Sequence, residues 1–136
     1  MDTRTKGSLE AEVAGAVVRF HREQHGRGPS EVRAALLADL AIVRCVEVLT
    51  PTETRLATTE GGRRLVRSSR QELRSIVHGE VESIVAGIVG CRVLRSYCDM
   101  DVEAGEQIEV YVLERDIHAV QSRDARRSVH PERGGA

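Results

Sequence analysis

The sequence predicts an α+β fold. A two-layer sandwich is expected, with a four-stranded, mostly antiparallel sheet of two hairpins and an N-terminal and a long central helix on one of its faces. Three observations lead there. Apolar residues recur at helical spacing over 8–25 and again along 60–89. Each helical stretch is followed by two runs with strand character, rich in β-branched residues or alternating in polarity. Strong punctuation separates them: Gly26-Arg27-Gly28-Pro29, Thr50-Pro51-Thr52-Glu53 and Gly90.

In the first helix Ser8 can act as N-cap, and Leu9, Val13, Ala16, Val17 and Phe20 form its apolar stripe. It should end near His25, ahead of the glycine-arginine-glycine-proline turn. Val32 to Asp39 and Leu40 to Leu49 read as two strands joined by a tight turn near Asp39, the second carrying Ile42, Val43, Val46 and Val48. Ala34 to Leu37 have helical propensity, but Pro29 and the short reach to the next element favour a hairpin.

Thr50 is a candidate cap, Pro51 suits the first helical position and Glu53 can close a capping box, so a short helix should run from Pro51 to about Thr58. Thr59-Glu60-Gly61-Gly62 then starts a long helix that reaches Val89 and stops at Gly90. At about 1.5 Å per residue that helix is roughly 43 Å long. A strand of about nine residues spans only about 30 Å, so the helix should overhang its own sheet. Cys91 to Asp101 and Glu106 to Arg115 form the second hairpin around Glu103-Ala104-Gly105, with Ile108, Val110 and Val112 on one face, alternating with Gln107 and Glu109. Residues 8–115 form one domain; 1–7 and the polar stretch 116–136 are expected to be flexible. An open sheet face, free edges and an overhanging helix together predict a homodimer.

Composition narrows function. The 136 residues are 40% hydrophobic and 30% charged with net charge −1, enough for one modest core and too neutral for a dedicated nucleic-acid binder. With Phe20, Tyr97 and Tyr111 the only aromatics, stacking platforms for single strands are excluded. No signal core or membrane span is visible, so a cytoplasmic protein, peripheral to the inner face of the membrane, is expected. Cys45, Cys91 and Cys98 lack metal or disulfide spacing and read as small buried hydrophobes.

Arginine placement is the unusual feature. Arg63, Arg67, Arg70 and Arg74 form a narrow stripe on the long helix; together with Arg64 they meet only Glu72 within that stretch. A solvated face and an anion-recognising surface for a protein partner or acidic headgroups both fit. Past His78-Gly79, Val81, Val85 and Ile88 take over the angle of the arginine stripe, so the helix should bend there or pack its halves against different neighbours. Gly26 and Gly28 flank Arg27 and can present it to an anion. His21 and His25 lack the zinc-protease pattern, and Asp99, Asp101 and Glu103 read as turn-forming acids. No metal, cofactor or catalytic constellation is expected, hence no enzyme.

These segments, taken in order, resemble the MpsC family. The likeness is carried by Leu9-Glu10, Gly26-Arg27-Gly28-Pro29, Leu49-Thr50-Pro51-Thr52-Glu53, Leu56-Ala57, Glu60-Gly61-Gly62-Arg63-Arg64-Leu65, Gly90-Cys91-Arg92-Val93, Asp99-Met100-Asp101 and Gly105-Glu106, over roughly residues 6–115. The extra glycine in Glu60-Gly61-Gly62 departs from the family pattern and should weaken the helix start. The family's name ties it to a sodium-translocating, membrane-potential-generating system. The resemblance therefore implies a non-catalytic accessory or regulatory component, partnered with a membrane transporter of sodium or inorganic carbon. The alternative is a small-anion or nucleotide-sensing domain using Arg27 and the open sheet face.

Overall fold

Helix α1 (Lys6–His25) starts earlier than its apolar stripe suggests, because Thr5 rather than Ser8 caps it: the Thr5 side chain accepts from the Ser8 amide. Its stripe is the expected one, with Leu9, Val13, Ala16, Val17 and Phe20 buried, and His21 buried beside them. It stops at Gly26, whose φ of 79° is the left-handed conformation that glycine adopts without a steric penalty. The computed structural model describes residues 4–117; the expected flexible tail lies almost wholly outside them.

Strands β1 (Glu31–Leu37) and β2 (Leu40–Val46) form the first hairpin. They end sooner than their hydropathy because Ala38 and Glu47 take positive φ and break the extended run. Helix α2 (Pro51–Leu56) carries the expected complete capping box between Thr50 and Glu53. Helix α3 (Glu60–Val89) is one uninterrupted element, capped by Thr59 and ended by Gly90. Strands β3 (Val93–Asp101) and β4 (Glu106–Leu113) close the chain. The sheet order is β1-β2-β4-β3, antiparallel throughout, with α1 and α3 on one face: the predicted α+β architecture.

Two details reverse what hydropathy implies. The buried face of α3 does not switch at His78-Gly79. Val66, Arg70, Val77, Val81, Val85 and Val89 are buried at spacings of mostly four, so one slowly drifting stripe faces inward along the whole helix. The arginines share that sheet-facing side with the valines.

The second reversal is in β4. The residues buried against the helices are Gln107, Glu109, Tyr111 and Leu113, while Ile108, Val110 and Val112 stay half-exposed on the far face. Register gives that far face three clear rows. Arg33, Arg44, Ile108 and Asp99 cross the sheet side by side; next come Ala35, Ile42, Val110 and Tyr97; then Leu37, Leu40, Val112 and Arg95.

Candidate functional site

Glu109 lies at the centre of the sheet with its side chain fully buried. Helices α1 and α3 and its own strand send it partners. His21 of α1 brings Nε2 to 2.9 Å from Oε2, and Gln107 donates to the same oxygen at 2.7 Å. The Tyr111 hydroxyl donates to Oε1, which also lies 3.5 Å from an Arg74 guanidinium nitrogen of α3. Arg74 in turn stands 5.6 Å over the Tyr111 ring and donates to Ser96 Oγ at 3.0 Å. Burial alone would raise the Glu109 pKa, but the His21 hydrogen bond and charge, Arg74 and Tyr111 outweigh it and hold it at about 2. The carboxylate is therefore ionised, and His21 donates to it. Burial, then Glu109, push the Tyr111 and Cys45 groups upward, so both keep their protons.

His21 Nε2, Cys45 Sγ and a Glu109 oxygen lie within 4.8 Å of one another, a spacing a cation could use. The donor set argues otherwise. Glu109 is already served by His21, Gln107, Tyr111 and Arg74, and the guanidinium supplies the positive charge. Among the described residues no buried polar side-chain atom lacks a partner.

A second network adjoins the first. Arg70 donates through Nε to Glu53 at 2.7 Å and through a terminal nitrogen to the Val48 carbonyl at 2.8 Å; another terminal nitrogen faces His25 Nε2 at 3.0 Å. Glu53 thereby does two jobs, accepting from the Thr50 amide to close the capping box and from Arg70 to tie α2 to α3. Burial first, then the Arg70 charge, lower the His25 pKa to about 4, so its neutral ring accepts from Arg70.

Both networks set an acid limit. His25 takes up a proton near pH 6.5 when unfolded but only near 4 when folded, so the unfolded chain is protonated first and stability declines as pH falls through that window. Glu109, lowered from 4.5 to about 2, withdraws its contribution further down. The thermal unfolding midpoint should drop from pH 6.5 to 4 in the native protein, and His25→Gln should flatten that segment alone. Parallel profiles for the two proteins would refute the assignment.

Between these networks a half-open cavity of about 140 Å³ runs under α1 and α3. Phe20, Leu73, Val77 and Met100 are among its apolar walls; its polar lining combines His21, His25, Arg67, Arg70 and Arg74 with glutamines and one acid, Asp99. It is wide enough for a molecule about the size of benzene, and too small for a nucleotide.

The arginine stripe is accordingly drawn inward. Arg63 reaches the Ala57 carbonyl at 3.0 Å and Glu103 at 3.5 Å, Arg64 reaches Glu60 at 2.9 Å, and Arg67 reaches Asp99 at 3.3 Å. The acids missing from its own stretch of helix come from elsewhere, four of the five from outside α3. Arg27 is not held out to solvent as a free donor: it donates to the Leu49 carbonyl at 2.8 Å and the Glu47 carbonyl at 3.3 Å, tying the glycine turn to the β2–α2 connection. Gly28 approaches α1 closely, an added Cβ lying 3.3 Å from Val18. Gly26, Gly28, Pro29, Thr50, Pro51 and Glu53 thus sit at the helix stop, the turn and the cap where their residue types place them. Asp101 accepts from the Ala104 amide, as a turn-forming acid does. The site's central pair, His21 and Glu109, lies 88 positions apart in sequence, which no local spacing can reveal.

Fold and site define a small two-layer α+β domain organised around a buried ion network, in which no helix of the described residues is long and apolar enough to cross a membrane. The chain belongs to the MpsC family: the family model described as Na+-translocating membrane potential-generating system (MpsC) matches residues 5–115. Among its relatives is the uncharacterized protein YbcI of Bacillus subtilis strain 168, 29% identical over 115 residues that cover 84% of this chain and 92% of the relative. The uncharacterized protein YrhF of the same strain is 21% identical over 100 residues, covering 73% and 82%. No solved structure matches the chain.

Proposed function

We propose that this chain is a non-catalytic accessory component of a sodium-translocating, membrane-potential-generating system, and that it serves that system by binding a small ligand. Family membership supports the first part. The observation that carries the second is the cavity between α1, α3 and the sheet, with apolar walls and arginine and histidine at its polar end. Arg74 has five N–H donors and meets fewer acceptors, Ser96, Tyr111 and Glu109, so it has donors left for an incoming group. Arg67 adds a half-exposed guanidinium at the rim, held among the described residues by an exposed ion pair with Asp99. The ligand class these groups favour is a small monoanion, with or without a short apolar body.

Docking through the arginine row has less support. Arg70 is buried on Glu53, so reversing its charge would set two carboxylates together and unfold the contact rather than probe a surface. Arg67 is the stripe residue to change. Thermal shift with bicarbonate, acetate, phosphate and nucleotides at millimolar concentration should show a rise for small monoanions and none for nucleotides. Arg67→Gln should weaken that rise several-fold while leaving the ligand-free midpoint unchanged. No shift with any small anion would remove the ligand reading. Failure of the tagged chain to co-purify with a membrane transporter from its native cell would remove the accessory reading.

A further inference from the structure

The far face of the sheet has an uncovered apolar middle, bordered by charged residues. Antiparallel sheets with one wet face normally present polar side chains there. Here Gln107 and Glu109 of β4 point inward while Ile108, Val110 and Val112 point outward, leaving Ile42, Val110 and Val112 half-exposed, and Leu37 and Tyr97 62% and 58% exposed. No described helix packs on this side. The residues after 117 are an unsuitable cover, because in His118–Ala136 the aliphatic residues larger than alanine are Val120 and Val129 alone.

We propose that this face binds a second copy of the chain, sheet against sheet, about a two-fold axis parallel to the strands between β2 and β4. That axis sets β1 over the partner's β3, and β2 over its β4. Each row then meets its own reverse. In the first, Arg33 stands opposite Asp99 of the second copy, and the symmetry gives the pair twice. In the second, the small Ala35 faces the large Tyr97 and Ile42 faces Val110, so sizes complement along the row. In the third, Leu37 lies against the aliphatic stem of Arg95.

The other in-plane axis, across the strands, sets the charged first row over the apolar second row and gives Arg33 and Asp99 no opposite charge on the second copy, leaving them only the exposed pairs with Glu31 and Arg67 of their own chain. That comparison selects the parallel axis. A further row holds Glu31 and Asp101 at its corners, which would face each other. They sit at the solvated rim, where such repulsion is weak.

Four strands at about 4.8 Å spacing and about seven residues long give a face of roughly 450 Å². Two such faces bury roughly 900 Å², the size of a weak and transient interface, so the dimer is a reversible one. The interface lies on the opposite side of the sheet from the cavity and shares with it Asp99, which also lines the cavity and pairs with Arg67.

Sedimentation velocity from about 1 to about 100 µM tests it. The native chain should pass from monomer to dimer over that range. Val110→Lys should stay monomeric with an unchanged thermal midpoint, since the side chain is half-exposed and outside the core; Ile42→Lys provides a second probe of the same face. The register has its own test. Arg33→Asp and Asp99→Lys should each weaken self-association at least tenfold, because each homodimer then sets like charges together twice. An equimolar mixture of the two should dimerise again, because both pairs become complementary in the mixed dimer. A native chain monomeric at 100 µM would overturn the proposal. So would a dimer that both lysine variants leave intact. Mixed charge variants that stay monomeric would overturn the two-fold register.

Discussion

Glu109→Gln is expected to cost about 3–5 kcal/mol of folding stability, measured by urea unfolding followed by circular dichroism. The figure follows from what the substitution leaves behind. Arg74 would stay three-quarters or more covered with its nearest carboxylate gone, and the new amide would confront His21, Gln107 and Tyr111, all of which now donate to an oxygen. The pair by itself is weak evidence of stabilisation, because burying its charges removes them from water. Replacing His21, Glu109 and Arg74 together by Leu, Leu and Met should therefore recover most of the loss. That contrast separates a network kept for the cavity from one kept for the fold. If the triple variant folds as well as the native chain but loses its thermal shift with small anions, the ions serve ligand binding. If Glu109→Gln costs less than about 1 kcal/mol, the network described here is not formed in solution.

The elements were legible where local chemistry decides them. Thr50, Pro51 and Glu53 announce α2, and Gly90 ends α3, because caps and stops act within one turn of chain. Strand pairing into two hairpins followed from short connections, and the sheet came out as expected. The arginine stripe was visible too, but its meaning was not. Its angle on α3 matched that of Val81 and Val85, and the shared angle meant a shared, inward-facing side rather than a change of face. An excess of arginine within one helix says nothing about acids contributed by α2, by β4 and by the β3–β4 hairpin, where Glu53, Glu109, Asp99 and Glu103 reside.

The inward turn of Gln107 and Glu109 was hidden for the same reason. Alternation in β4 states that two faces differ; it does not state which one meets the helices. Hydropathy would send Ile108, Val110 and Val112 inward. His21 and Arg74 supply the compensation that lets Glu109 take that place. The exposed apolar face used for the proposed dimer and the buried ion network used for the proposed ligand are thus two consequences of one register choice.

Gly62 carries the other large expected effect, and its sign decides between two accounts of the doubled glycine. If Gly61 and Gly62 merely loosen the start of α3, alanine at either should stabilise by up to about 1 kcal/mol. Geometry separates them. A Cβ on Gly62 would fall 1.6 Å from the Leu56 carbonyl oxygen and 2.5 Å from its carbon, both backbone atoms at the end of α2. A Cβ on Gly61 would meet only the far end of the Arg64 side chain, at 4.0 Å. The second glycine is therefore what lets α2 and α3 close against each other. That closure brings Glu53 to Arg70. Gly62→Ala should destabilise by about 3 kcal/mol or more, because two backbone segments must separate and the Glu53–Arg70 link is strained with them. Gly61→Ala should be neutral or mildly stabilising. Urea midpoints of the two variants, side by side, give the answer: equal stabilisation in both would show that the α2–α3 approach is looser than described and that the helix start alone is at issue.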